Sequence, residues 1–201
     1  MIKRFILLSV LLCLAGAASR AGVPTDEVRA TTDKVLALLN TPNLQGDAKR
    51  SERHHRIRAV LDERFDWQES ARGCLGRHWA ERTPAEQKEF VTLFVEFLER
   101  SYLGKFDLFY VNVETIDYRS EKIIDNCASV QTMINTKAKF HHPVEYRLEK
   151  SGSADNWRIY DTVIEGVSMV KNYRDQFNDI IAKSSYAGLI REIKARVGEK
   201  E

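Results

Sequence analysis

Asp161 and Glu165 flank the end of a strand-like segment, Trp157 to Ile164, and two carboxylates so placed can divide general acid and base work if burial separates their pKa values. An aspartate at such a strand-to-turn boundary also suits a structural duty, bonding the neighbouring backbone. Cys74 and His78 would share a helical face as a nucleophile and base, yet Gly73 and Gly76 weaken a helix there. His54-His55 and His141-His142 are adjacent pairs and not one helical turn apart, and no cysteine or carboxylate cluster completes a zinc site. The sequence contains no HExxH, GxSxG, P-loop or dinucleotide fingerprint in its required setting. These residues therefore predict no catalytic group, no metal and no cofactor. A small-molecule enzyme on an open α+β sheet stays open as an alternative, as does an interaction protein of the cell envelope.

Residues 1–21 read as an export signal: a basic start at Lys3 and Arg4, an apolar run from Phe5 to Ala18, and small residues at Ser19 and Ala21 before a cleavage point. The run is shorter than the roughly 20 residues that a membrane-spanning helix needs. Lys3, Arg4 and Arg20 leave with the leader, which turns the formal balance of the 201-residue chain from +2 to −1. That balance gives no electrostatic footprint for nucleic acid. The basic stretch Arg50, Arg53, His54, His55, Arg56 and Arg58 is interrupted by Glu52 and reads first as a solvated helix face, with an acidic partner as its alternative. Cys74 and Cys127 are the cysteines that follow the leader. An oxidising compartment permits a bridge between them, worth roughly 4 kcal/mol of chain entropy, and two separate thiols are the other outcome.

The elements that must position these residues follow from periodicity. Val28, Val35, Leu36 and Leu39 mark a first helix that stops at Asn40-Thr41-Pro42-Asn43, and Ile57, Val60 and Leu61 mark a second. Ala71 to Trp79 reads as a packed turn. Thr83-Pro84-Ala85-Glu86 is a capping-box start, after which Phe90, Leu93, Phe94, Phe97, Leu98 and Tyr102 recur at helical spacing. That stripe predicts either solid core or one wall around an apolar ligand. After Gly104 the pattern alternates: strands are predicted at Phe109–Val113, Ile123–Met133, Val144–Leu148 and Trp157–Ile164, with turns at Tyr118–Glu121, at His141-His142-Pro143 and at Ser151-Gly152-Ser153. Val170, Tyr173 and Phe177, then Leu189, Ile190, Ile193 and Val197, return to helical spacing. The order predicts an α+β class, about four mostly antiparallel strands in a curved sheet with helices over one face. The expected domains are the signal at 1–21 and one body at 22–201, helical over 22–104 and sheet plus terminal helices over 105–201.

The continuous segment from Trp157 to Phe177, WRIYDTVIEGVSMVKNYRDQF, closely resembles the MlaC or toluene-tolerance family of periplasmic phospholipid-binding proteins. Leu75-Gly76-Arg77-His78-Trp79, Thr83-Pro84, Phe90, Phe94 and Ser101-Tyr102 resemble the helical portion of the same family. The resemblance implies a nuclear-transport-factor-two-like body elaborated by helices around a deep apolar pocket. It implies a periplasmic carrier and no enzyme, with phospholipid as cargo. The implied partners are an outer-membrane lipoprotein complex and an inner-membrane ABC transporter with its tethered lipid-binding subunit. A hopanoid or another apolar lipid is the alternative cargo.

Such a carrier must hide many methylenes from water at about 0.8 kcal/mol each, which calls for a large apolar enclosure. Phe94, Phe97, Val113, Val130, Tyr146, Trp157, Val167, Tyr173 and Phe177 are the expected wall residues. Tyr160, Asp161, Asn172 and Arg174 are expected at the strand-to-helix turn or pocket mouth, with Arg174 the first choice for phosphate because a guanidinium pairs bidentately.

Overall fold

A computed structural model describes residues 23–110, 112–152 and 156–198, with 103–110 described by backbone alone. The leader and Val111 lie outside the described residues. In chain order come α1 (Val23–Leu39), α2 (Arg50–Arg64), α3 (Trp67–Leu75), α4 (Pro84–Tyr110), β1 (Val113–Ile124), β2 (Cys127–Thr136), β3 (His141–Lys150), β4 (Trp157–Ile164), β5 (Val167–Ser168), α5 (Met169–Lys183) and α6 (Tyr186–Gly198). The sheet is a fully antiparallel meander in the order β1-β2-β3-β4-β5. The chain is thus α+β, with helices against an antiparallel sheet.

The capping box at α4 forms as its residues dictate: the Thr83 amide donates to Glu86 Oε2 at 2.8 Å, and the Glu86 amide donates to Thr83 Oγ1 at 3.3 Å. The Thr83 amide and the Thr83 hydroxyl, which donates to the same oxygen at 3.0 Å, hold the Glu86 carboxyl below the usual range. Several expectations are corrected. Ala71–Trp79 is not a turn: α3 runs through Gly73 to Leu75, and a 3-10 turn follows at Gly76–Trp79. Gly73 is there for space, since a Cβ would stand 2.7 Å from Val170 Cγ1 of α5, and Gly76 supplies the φ of +54° that ends the helix. α4 passes through Gly104 to Tyr110, so the strand expected from Phe109 starts instead at Val113 and the helical portion reaches beyond 104.

A further correction concerns β1. Tyr118–Glu121 lies inside this strand, with a register irregularity between Tyr118 and Ser120, and the turn falls at Asp125, where φ is +52°. The strand expected at Ile123–Met133 therefore straddles two strands. His141–Pro143 likewise belongs to β3.

Among the described residues, three apolar clusters hold the fold. In the first, α3, α4, α5 and α6 bury Phe90, Phe94, Phe97, Tyr173 and Phe177 with Leu75, Leu189 and Ile193. Its rings meet edge to face, Phe90 on Phe177 at 5.9 Å and Phe97 on Tyr173 at 5.4 Å, the arrangement that ring quadrupoles favour. The second covers one sheet face, where Val130, Ile134, Val144, Tyr146, Leu148, Trp157 and Ile159 pack with Val28 of α1. The third is small and joins α1 to α2 through Val35, Leu39 and Ile57. β4 ties the layers together: Asp66 donates its amide to the Ile159 carbonyl at 2.8 Å, and Arg64 donates to the Trp157 carbonyl at 2.7 Å.

Candidate functional site

Where the three clusters meet they do not close. A cavity of about 480 Å³ remains between α1, α2, α4 and the inner sheet face. On α1, Val28, Thr31, Thr32 and Val35 recur at i, i+3, i+4 and i+7 and form one wall. On α4, Val95, Leu98, Glu99 and Tyr102 form the wall opposite, and Leu98, which also packs in the helical cluster with Phe90, Phe94 and Phe97, stands where the two faces of the helix meet. Ile134, Val144, Tyr146, Ile159, Thr162 and Ile164 line the sheet side. The run Ile159, Thr162, Ile164 breaks strict alternation because Tyr160 has no partner in the register with β3. That bulge turns Asp161 away from the cavity and toward α5.

Few polar groups interrupt the apolar lining, and those are mostly spoken for. Thr31 and Thr32 donate to the Glu27 and Arg29 carbonyls within α1, and the Thr32 hydroxyl lies 2.6 Å from Tyr118 Oη. Burial raises the Tyr118 phenol above its ordinary range. The mouth lies where Tyr102, Ile164 and Val167 reach solvent, at 41%, 49% and 59% exposure. Asn172 stands exposed beside them.

Of the expected wall residues, Tyr146 and Val167 line this cavity. Phe94, Phe97, Tyr173 and Phe177 do not: they fill the helical core, whose rings leave no space between them. Val130 and Trp157 are buried in the sheet cluster, and Val113 packs against it partly buried. Of the expected mouth residues, Asn172 lines the cavity. Arg174 instead reaches across to α3, where its Nε donates to the Gly73 carbonyl at 2.6 Å and its stem covers Gly76. Tyr160 is half-buried, and its carbonyl lies 2.7 Å from the Ser70 hydroxyl.

Asp161 organises the strand-to-helix turn. Its Oδ2 accepts from Ser168 Oγ at 2.6 Å and Oδ1 accepts from the Val170 amide at 3.0 Å, while Ser168 caps α5 by accepting from the Lys171 amide. Arg147 Nη1 lies 3.3 Å from the same carboxylate. Glu165 points elsewhere, to His142 Nδ1 at 2.6 Å, so no acid–base pair forms with Asp161. Cys74 and Cys127 are free thiols, the first buried and the second exposed, which decides against a bridge. Burial also raises the Cys74 thiol well above its ordinary value, which removes it as a nucleophile.

The sequence reading missed Val28, Thr31, Val95, Ile134 and Ile159, and the pair Arg58–Glu99. A signal for Val95 existed, because it stands at i−3 and i−7 to Leu98 and Tyr102, which close the stripe read from Phe90.

An apolar cavity with a partly exposed apolar mouth, set between sheet and helices, is the site of a binding protein for apolar ligands. Residues 29–195 match the MlaC protein family, and the chain belongs to it. It is a periplasmic lipid-binding carrier and not an enzyme. The chain is also similar to a solved phospholipid-binding protein from Ralstonia solanacearum in complex with a phospholipid, at 26% identity and a TM-score of 0.73, with 86% of this chain and 96% of that one covered.

Proposed function

We propose that residues 22–201, released from the signal at 1–21, form one domain that carries a phospholipid by its acyl chains. The single observation that carries this reading is the cavity of about 480 Å³ with its largely apolar lining and open mouth. The phospholipid seen in the Ralstonia solanacearum relative supports the cargo. Acyl methylenes enter at about 0.8 kcal/mol each, while the headgroup stays where the cavity opens to solvent. The sheet wraps the chains as a curved, nuclear-transport-factor-two-like half-shell, with α1, α2 and α4 as its cover.

The domain moves lipid between an outer-membrane lipoprotein complex and an inner-membrane ABC transporter with a tethered lipid-binding subunit, and in doing so helps keep the outer membrane's lipid asymmetry. The exposed apolar rim at Ile164 and Val167 suits transient docking of the mouth against a partner's lipid port. Transfer of a labelled phospholipid from donor to acceptor vesicles, with protein as the only soluble component, tests the reading. A rate that rises in proportion to protein concentration is expected. Transfer no faster than in protein-free buffer contradicts it.

A further inference from the structure

Among the described lining residues, one cation and one anion occur, Arg58 on α2 and Glu99 on α4. Arg58 Nη1 donates to Glu99 Oε2 at 3.1 Å, and the two side chains are 26% and 34% exposed. The pair therefore faces the apolar space on one side and solvent on the other. Arg58 is also held from behind: its Nε donates to Asp62 Oδ1 at 2.6 Å, and the same oxygen accepts from Trp67 Nε1 at 2.7 Å. The guanidinium carbon lies 5.8 Å from the centroid of the Trp67 ring. The other polar lining groups, such as Thr162, Asn172, Tyr102 and Tyr146, are hydroxyls and an amide.

We propose that the Arg58–Glu99 pair selects the headgroup of the bound lipid, favouring a zwitterionic aminophospholipid over a net-anionic one. The inference rests on the phospholipid reading above. A lipid phosphodiester is a better bidentate partner for a guanidinium than a single carboxylate oxygen at 3.1 Å. When phosphate takes the exposed edge of Arg58, Asp62 keeps the guanidinium in place, but Glu99 loses its partner. The ammonium of an ethanolamine headgroup replaces what Glu99 lost, so both charges end paired. A glycerol headgroup offers no cation, and it leaves Glu99 beside a phosphate of like charge. An uncharged diacyl lipid leaves the original ion pair intact and gains nothing from it.

The test is a competition. The mature protein is incubated with vesicles of equal parts phosphatidylethanolamine and phosphatidylglycerol with matched acyl chains, repurified, and its bound lipid quantified by native mass spectrometry and extraction. The expected result is an enrichment of phosphatidylethanolamine of about fivefold, the scale of a part-exposed ion pair. Glu99→Gln brings the bound ratio to that of the vesicle, and Glu99→Asp retains part of the enrichment. A wild-type load that mirrors the vesicle, or enrichment that survives Glu99→Gln, overturns the inference and leaves the carrier reading standing. Failure to load either lipid overturns the carrier reading and this inference with it. The wild-type ratio decides even where a variant does not fold.

Discussion

The two faces of α4 were built from the same kind of residue and met opposite ends. Phe90, Phe94 and Phe97 look toward α5 and α6, where Tyr173 and Phe177 fill every gap. Val95, one position along from Phe94, looks toward α1 and the sheet across the cavity, and Leu98 divides its contacts between the cavity and the helical cluster. The difference teaches that interlocked rings, and not rings as such, mark where this molecule is solid. Rings interlock edge to face and close a core, whereas a ligand space needs walls that stay apart. Here the walls are largely β-branched and aliphatic, and the rings among them, Phe65, Trp67, Tyr102 and Tyr146, stand around the space without closing it, with α1, α2 and β4 holding the walls at a distance.

Adjacent substitutions on one helix break the comparison most directly. Phe94→Ala empties a fully buried ring site and costs about 3–5 kcal/mol of stability. Denaturant unfolding reads that loss, and the lipid bound per folded molecule stays at the wild-type level. Val95→Trp pushes an indole into the cavity and displaces several methylenes at about 0.8 kcal/mol each, so phospholipid loading falls about a hundredfold. Its unfolding midpoint changes little, because the space is already there. If Phe94→Ala were the variant that lost lipid, the solid and hollow faces would have been assigned the wrong way round.

Smaller effects sharpen the same division. Asp161→Ala leaves the Val170 amide and the Ser168 hydroxyl without their buried acceptor and costs about 2–3 kcal/mol. Because Asp161 faces α5, lipid content per folded molecule is expected to hold. Loss of lipid at unchanged stability would return Asp161 to the pocket mouth. The two thiols give the mildest test: in the native protein a maleimide labels Cys127 and spares Cys74, since burial both covers Cys74 and raises its pKa. Labelling of two thiols without denaturant would mean that the helical core opens readily.

The fold class, the capping box at Thr83–Glu86 and the limits of β4 were legible because each rests on local periodicity or cap chemistry. The hairpin turn at Asp125 was not, since neither Asp125 nor Asn126 stood out against the polar residues of β1, which is mostly exposed and alternates weakly. Gly104 and Gly73 were read as breakers, but packing overrode propensity, and at Gly73 it did so through close approach to Val170. The site was legible as a kind of space and poorly legible as residues. Tyr146, Val167 and Asn172 line the cavity, while Arg174 went to bracing α3 and the bulge at Tyr160 reversed which β4 side chains face inward. Neither tertiary bracing nor a bulge leaves a trace in spacing.

Native mass spectrometry of the signal-free protein purified from a periplasmic extract, followed by extraction and identification of the lipid, tests the central claim most directly. One phospholipid per chain, released on denaturation, is the predicted result. Protein that emerges lipid-free, and stays so after incubation with phospholipid vesicles, would contradict it.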